Sequence, residues 1–335
     1  MPSFVCRTGG HDATYEGPYK ATGVSMRAFF LDGKYLTLAS TLKRYLTAVS
    51  GDVYLPISDR VIGCFAAMEK VEGVDPKLGA MREIDVALFI PAIRFDGLIP
   101  KQLVFFAPYL FVDIPQAAFT GREVHGYRKD LGTSFSDKDI YDPGWSADGA
   151  DLTHVEAWAV PSPHAMLKRT RLLEVVAPAA PRTLSPWSGK GGQSGDILEA
   201  LHGAATDWDS PILKTLQKHA GAKAKSLGSA LGSSIDSLFE ALWSSTVITV
   251  PIVFLRQFRN PRNSKEADMC EVLTANVRVP ASSVSANKVS GAYGVKFTDA
   301  ASHPFSTELG VSATAVTTSM LTMDMHCDFT LEHAQ

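Results

Sequence analysis

The stretch Tyr109-Leu-Phe-Val-Asp-Ile-Pro-Gln-Ala-Ala-Phe-Thr-Gly-Arg-Glu-Val-His-Gly-Tyr-Arg-Lys-Asp-Leu-Gly132 decides how this chain is read. It opens on an aromatic and aliphatic run with the length and composition of a buried strand. Residues 116–120 then suit a helical turn, and Gly121-Arg122-Glu123 leads into a short strand or turn that carries Lys129. A lysine pressed against apolar walls loses the hydration of its ammonium form, so its pKa falls and neutral amine, the form that attacks ketones, is populated near pH 7. Taken alone, Lys129 reads equally well as a surface lysine whose stem covers apolar side chains. Phe105, Phe106, Tyr109, Phe111 and Phe119 suit a core, and a pocket is built from the same residue types.

Working outward, residues 9–23 are rich in Gly, Asp, Thr and Pro and read as an irregular lead-in, with a helix expected over 41–49. Short apolar segments at 53–56, 61–65, 84–91 and 103–112, bounded by Pro and Gly, read as strands, as do 152–160 and 168–177. Pro and Gly cluster after 178. Leu213, Leu216, Leu227, Leu231, Ile235 and Leu238 then follow a helical period, which predicts a helical hairpin. Strands resume at Val247, and 272–279 and 320–331 alternate with period two. The expected organisation is one β-rich domain in two parts, 1–183 and 246–335, interrupted by a helical insertion at 184–245. The Gly-rich run at 189–195 lacks the spacing of a phosphate-binding loop and reads as a linker.

Composition removes several function classes. The 335 residues carry 32 Lys+Arg against 35 Asp+Glu, a formal charge of −3, so no net basic field attracts nucleic acid or an anionic membrane. The apolar run 243–255 is shorter than the roughly 20 residues of a membrane helix. The first residues lack a secretory or transit pattern, and four widely spaced cysteines suit reduced thiols, so a cytoplasmic location is expected. Nine histidines show no ligand spacing, and no metal is expected. His125 and His303 are assigned ordinary hydrogen-bonded roles.

The motif around Lys129 carries a family resemblance. Gly121-Arg122-Glu123 followed by Gly126-Tyr127-Arg128-Lys129 resembles the Gly-Arg-Glu…Gly-Tyr-Pro-Lys-Lys signature of the acetoacetate decarboxylase family. Matches lie in order on both sides. They comprise Gly17-Pro18-Tyr19-Lys20, Ala80-Met81-Arg82-Glu83, the run Ile252 to Pro261, Cys270-Glu271-Val272-Leu273 and the region from His303 to Phe329, so all but the insertion is covered. The resemblance implies an α+β fold, mainly an antiparallel β cone or barrel with the pocket inside it, and assembly into homo-oligomers. It places Lys129 at the position of the Schiff-base lysine, the nucleophile for which acetoacetate decarboxylase is the standing example. Glu83 takes the position of the acid/base carboxylate, and Arg27 falls near the family's active-site arginine. Glu83 beside Arg82 also suits a solvated ion pair at a strand start.

Three departures from the family pattern bear on substrate. Asp130 stands at the second lysine, Arg128 replaces the proline before the nucleophile, and the stretch 64–68 lacks the family's second buried carboxylate. They weigh against acetoacetate itself and leave imine chemistry in place. The implied function is a lyase acting on a small keto acid without a cofactor, by decarboxylation or aldol-type C–C chemistry. In it Lys129 is the nucleophile and Glu83 shuttles protons, while Arg27, Arg128 and Tyr109 contact substrate. The alternative is a non-catalytic small-molecule binder on the same scaffold.

Overall fold

The computed structural model describes residues 17–73, 79–97, 99–133, 154–176, 184–186, 246–289 and 293–335. In chain order the elements are β1 (Tyr19–Asp32), α1 (Tyr35–Leu42), a π-helical turn (Lys43–Thr47), α2 (Ala48–Ser50), β2 (Val53–Pro56), β3 (Arg60–Glu72), β4 (Ala80–Asp96) and β5 (Ile99–Val112). There follow α3 (Pro115–Thr120), a second π-helical turn (Gly121–His125), β6 (Lys129–Thr133), β7 (His154–Ala159), β8 (Lys168–Val176) and β9 (Leu184–Pro186). The last are β10 (Val247–Arg259), β11 (Ala267–Pro280), β12 (Ser285–Val289), β13 (Gly294–Phe297), α4 (Phe305–Leu309) and β14 (Thr317–Leu331).

One sheet closes on itself. Strands β14, β1, β3, β4 and β5 pair antiparallel in that order; β5 meets β10 in parallel, β10 pairs with β11, and β11 returns to β14 through Val277 opposite Leu331. A second path from β5 through β6, β7, β8 and β13 to β14 encloses the main core. The strands shared by both paths are therefore covered on two faces, and their side chains divide by parity. On β1, Phe29 and Leu31 enter the core, whereas Met26, Ala28 and Phe30 face the interior of the first ring. On β3 and β4, Val61, Phe65, Val86 and Leu88 are core, and Ile62, Cys64, Ala87 and Phe89 face the ring interior.

Several sequence expectations move. β1 begins at Tyr19, inside the stretch read as irregular, because β14 and β3 supply hydrogen-bonding partners on both of its edges. The helix expected at 41–49 starts at Tyr35 and ends at Ser50, with Leu38, Leu42 and Leu46 fully buried at i+4 spacing. Of the expected insertion, Leu184–Pro186 forms a strand paired with β12; the expected helical hairpin lies outside the described residues. No helix among the described residues is long and apolar enough to cross a membrane.

The core should respond to truncation at its most enclosed aromatic positions. Phe29 is 1% exposed and meets Phe65 edge-on at 5.6 Å and Tyr293 at 6.2 Å. Phe29→Ala is expected to cost about 3–5 kcal/mol, read as a fall in the urea midpoint.

Candidate active site

The ring interior holds a cavity of about 350 Å³ whose walls are chiefly Ala, Val, Ile, Met and Phe. Ionisable groups gather in one part of it. Lys129 opens β6, which pairs with β5 through Leu110, and β5 in turn sets Leu110 opposite Ala87 on β4. From that row the side chain reaches Glu83, and Lys129 Nζ donates to Glu83 Oε1 at 2.5 Å. Asp85 Oδ2 is 3.8 Å from the same nitrogen, and the Tyr127 ring lies 5.5 Å from it.

The turn before β6 explains the glycines of the motif. The Gly126 and Tyr127 N–H groups both donate to Gly121 O, and Gly126 adopts φ +85°, a left-handed conformation that ends the helical turn. Gly126 also lies against Arg256 of β10, where a Cβ has no room. A Cβ at Gly121 would stand 2.6 Å from Lys129 Cδ, so the lysine stem packs directly on that backbone. Arg122 donates to Lys129 O at 3.3 Å and ties the turn to the strand.

Lys129 and Glu83 are 8% and 3% exposed, so neither is a solvated surface charge. Burial opposes the charged form of Lys129, but Asp85 and Glu83 outweigh it and hold the ammonium above its ordinary pKa. Burial likewise opposes ionisation of Glu83, and the Lys129 charge with hydrogen bonds from Asp85 and Lys129 overcomes it, leaving Glu83 below the usual carboxylate range. Asp85 is pushed well upward by burial and by the charge of Glu83. The Lys129 ammonium and the Glu83 carboxylate therefore stabilise each other, Asp85 is the carboxyl biased toward its protonated form, and the protons belong to the group as a whole. This corrects the expectation of a resting neutral amine: the lysine is as buried as expected, but Glu83 and Asp85 reverse the sign.

Parity also decides the remaining sequence candidates. Arg27 shares the core face of β1 with Phe29, and it donates from Nε and NH2 to Asp324 at 2.5 and 2.8 Å instead of lining the cavity. Tyr109 is in the core, where its hydroxyl donates to Glu308 Oε2 at 2.6 Å, while its neighbour Leu110 lines the cavity. Arg128 is exposed and lies over the Tyr45 ring at 5.0 Å. The structure thus joins Lys129 with Glu83 and leaves Arg27, Arg128 and Tyr109 outside. Asp130 turns away from Lys129 and lies 3.3 Å from His303 Nε2, so His303 has the ordinary role expected of it. Of the five aromatics, Phe105 lines the cavity, Phe106, Tyr109 and Phe111 are core, and Phe119 is exposed.

Two cavity residues escaped the sequence reading. Asp85 adds a second, half-buried carboxylate to the cavity wall, two residues beyond Glu83 on the same face of one strand; period-two spacing is the signal that would have found it. His125 lines the cavity, is 1% exposed, and neither ring nitrogen has a hydrogen-bond partner among the described residues, contrary to its expected role. Its neighbours are the rings of Tyr19, Tyr127 and Phe254. Burial, with the charges of Lys129, His333 and Arg256, lowers its pKa from 6.5 to about 4.

Because the folded imidazole resists protonation, its contribution to stability is complete above about pH 6.5 and is lost as pH falls toward 4, about 3 kcal/mol in all. His125→Phe, which keeps the ring packing, is expected to show that much less loss of stability between pH 7 and pH 4. Urea midpoints of the two proteins across this range check it.

No protein-family model matches the sequence, and no curated protein does. Among solved structures, the chain is similar to an acetoacetate decarboxylase-like enzyme from Sphingomonas wittichii RW1, with 13% identity, a TM-score of 0.54, and coverage of 100% of this chain and 98% of that one. It is also similar to acetoacetate decarboxylase from Legionella pneumophila subsp. pneumophila str. Philadelphia 1, with 10% identity, a TM-score of 0.51, and coverage of 96% and 87%. With the closed ring of strands and the resemblance around Lys129, these matches give the chain the fold of the acetoacetate decarboxylase-like superfamily.

Proposed function

We propose that the protein is a lyase that forms a Schiff base between Lys129 and the ketone of a keto acid. The observation that carries this reading is a buried lysine amine held 2.5 Å from one carboxylate and 3.8 Å from another at one part of an apolar cavity. Buried charges at this spacing are costly to keep, and they cluster where proton transfer is used.

The chemistry follows from the contacts of Lys129 with Glu83 and Asp85. As the carbonyl approaches, the Lys129 ammonium gives a proton to Glu83, and the freed amine adds to the carbonyl carbon. The new C–N bond forms, the carbonyl oxygen leaves as water after protonation, and a cationic imine remains. In a β-keto acid the bond to the carboxylate then breaks, its electron pair moves toward the iminium nitrogen, and carbon dioxide departs. Asp85, the carboxyl biased toward its protonated form, lies 3.8 Å from Lys129 Nζ and can return a proton to the enamine carbon. Hydrolysis of the imine restores the amine. An aldol-type outcome uses the same imine and enamine, with a carbonyl carbon in place of the proton. The ammonium state of Lys129 also suits a binder that holds an anion without chemistry, and the experiment separates the two.

Borohydride reduction in the presence of a keto acid panel is expected to add the mass of the reduced adduct at Lys129, and Lys129→Ala to abolish it. Absence of any adduct overturns the enzyme reading in favour of the binder. Glu83→Gln should slow trapping by about 10²-fold or more, because no group then carries the lysine proton to the departing carbonyl oxygen. Asp85→Asn should slow trapping by less than about tenfold, because Glu83 and not Asp85 is hydrogen-bonded to the lysine nitrogen. Equal losses in the two variants overturn the assignment of Glu83 as the proton carrier.

A further inference from the structure

The cavity is graded along its strands. Its register rows run Glu83–Met68, then Asp85–Ala66–Met26, then Ala87–Cys64–Ala28, and finally Phe89–Ile62–Phe30. The first two rows hold both carboxylates that Lys129 reaches. The third is made of small side chains, which hollow the ring where large ones would fill it. The fourth is a bulky apolar wall, and Phe105 meets Phe89 there edge-on at 6.5 Å. At about 3.3 Å per residue, the wall stands roughly 13 Å along β4 from Asp85. A volume of about 350 Å³ also falls among sites that hold drug-sized ligands, well beyond the needs of a four-carbon acid.

We infer that the substrate is a β-keto acid with a medium-length apolar tail, whose tail crosses the small-residue row and ends against Phe30, Ile62, Phe89 and Phe105. The inference rests on the Schiff-base reading for the position of the ketone. The ketone sits at Lys129, in the rows that carry the charges, so only the unreacting end of the substrate lies over the small and bulky rows. A charged or hydrogen-bonding substituent there would lose its water and meet alanine, cysteine sulfur and phenyl rings. An alkyl chain gains by the same exchange, about fourfold in affinity per buried methylene.

The test uses 3-oxobutanoate, 3-oxohexanoate, 3-oxooctanoate and 3-oxodecanoate, with kcat/KM and the rate of borohydride trapping as readouts. Saturated acids of matching length, which have no ketone, are titrated in parallel for binding. Trapping at Lys129 and kcat/KM should both rise about fourfold per methylene until the wall is met. Ala28→Phe, which blocks the third row, should bring the ratio of 3-oxooctanoate to 3-oxobutanoate back to near one. If 3-oxobutanoate is trapped at Lys129 but longer acids gain nothing, the inference is overturned and the Schiff-base reading stands. If no keto acid is trapped while binding of the saturated acids rises with length, the Schiff-base reading fails and the apolar-tail assignment stands. A flat binding series with no trapping overturns both.

Discussion

The site depends on a balance between two large opposing effects on one nitrogen. Burial in an apolar ring makes the Lys129 ammonium expensive, and two carboxylates brought within 3.8 Å make it favourable again. Neither partner is dispensable. Without Glu83 and Asp85 a lysine this buried would lose its proton or leave the cavity, and without Lys129 two buried carboxylates would share one wall. The ring has to close for any of this to hold, because its long-range pairings bring Lys129 to Glu83 and Asp85.

That closure explains why a short motif fixes so much. Gly121 lets the lysine stem lie on the backbone of the helical turn, and Gly126 turns the chain under β10 in a left-handed conformation. β6 then joins β5 in parallel, with Lys129 in the row of Leu110. Each step is set by local sterics, so the letters around Lys129 carried its placement against the cavity. Glu83 was legible through the family resemblance of Ala80-Met81-Arg82-Glu83.

Residues that failed the expectation did so on parity. Arg27 and Tyr109 lie one residue away from cavity-lining positions, and a one-residue offset on a strand sends a side chain to the opposite face. Both strands are covered on two sides by apolar residues, so the sequence lacks the polar alternation that would tell the inner face from the core. Asp85 was missed although it keeps period-two spacing from Glu83, because that spacing points into a cavity only once the strand is known to line one. His125 falls in the motif itself, but only the packing of Tyr19, Tyr127 and Phe254 around it removes its hydrogen-bond partners. The strands at 84–91, 103–112 and 320–331 were legible throughout, because long apolar runs survive an uncertain register.

The displacement of Arg27 and Arg128 from the cavity bears on which bond the proposed imine breaks. Arginine paired with a substrate carboxylate stabilises the charge where it starts, and so holds back a reaction in which that charge must leave. Among the described residues lining this cavity the cation is Lys129 alone, and it becomes the imine nitrogen in the proposed chemistry. A β-carboxylate in such a site is poorly solvated, and its electron pair has one favourable destination, the cationic imine two bonds away. The same low polarity that makes the resting lysine costly therefore favours the step that disperses charge and releases a neutral molecule. On this argument decarboxylation fits the cavity better than an aldol reaction, which would require a second carbonyl to be held beside the imine.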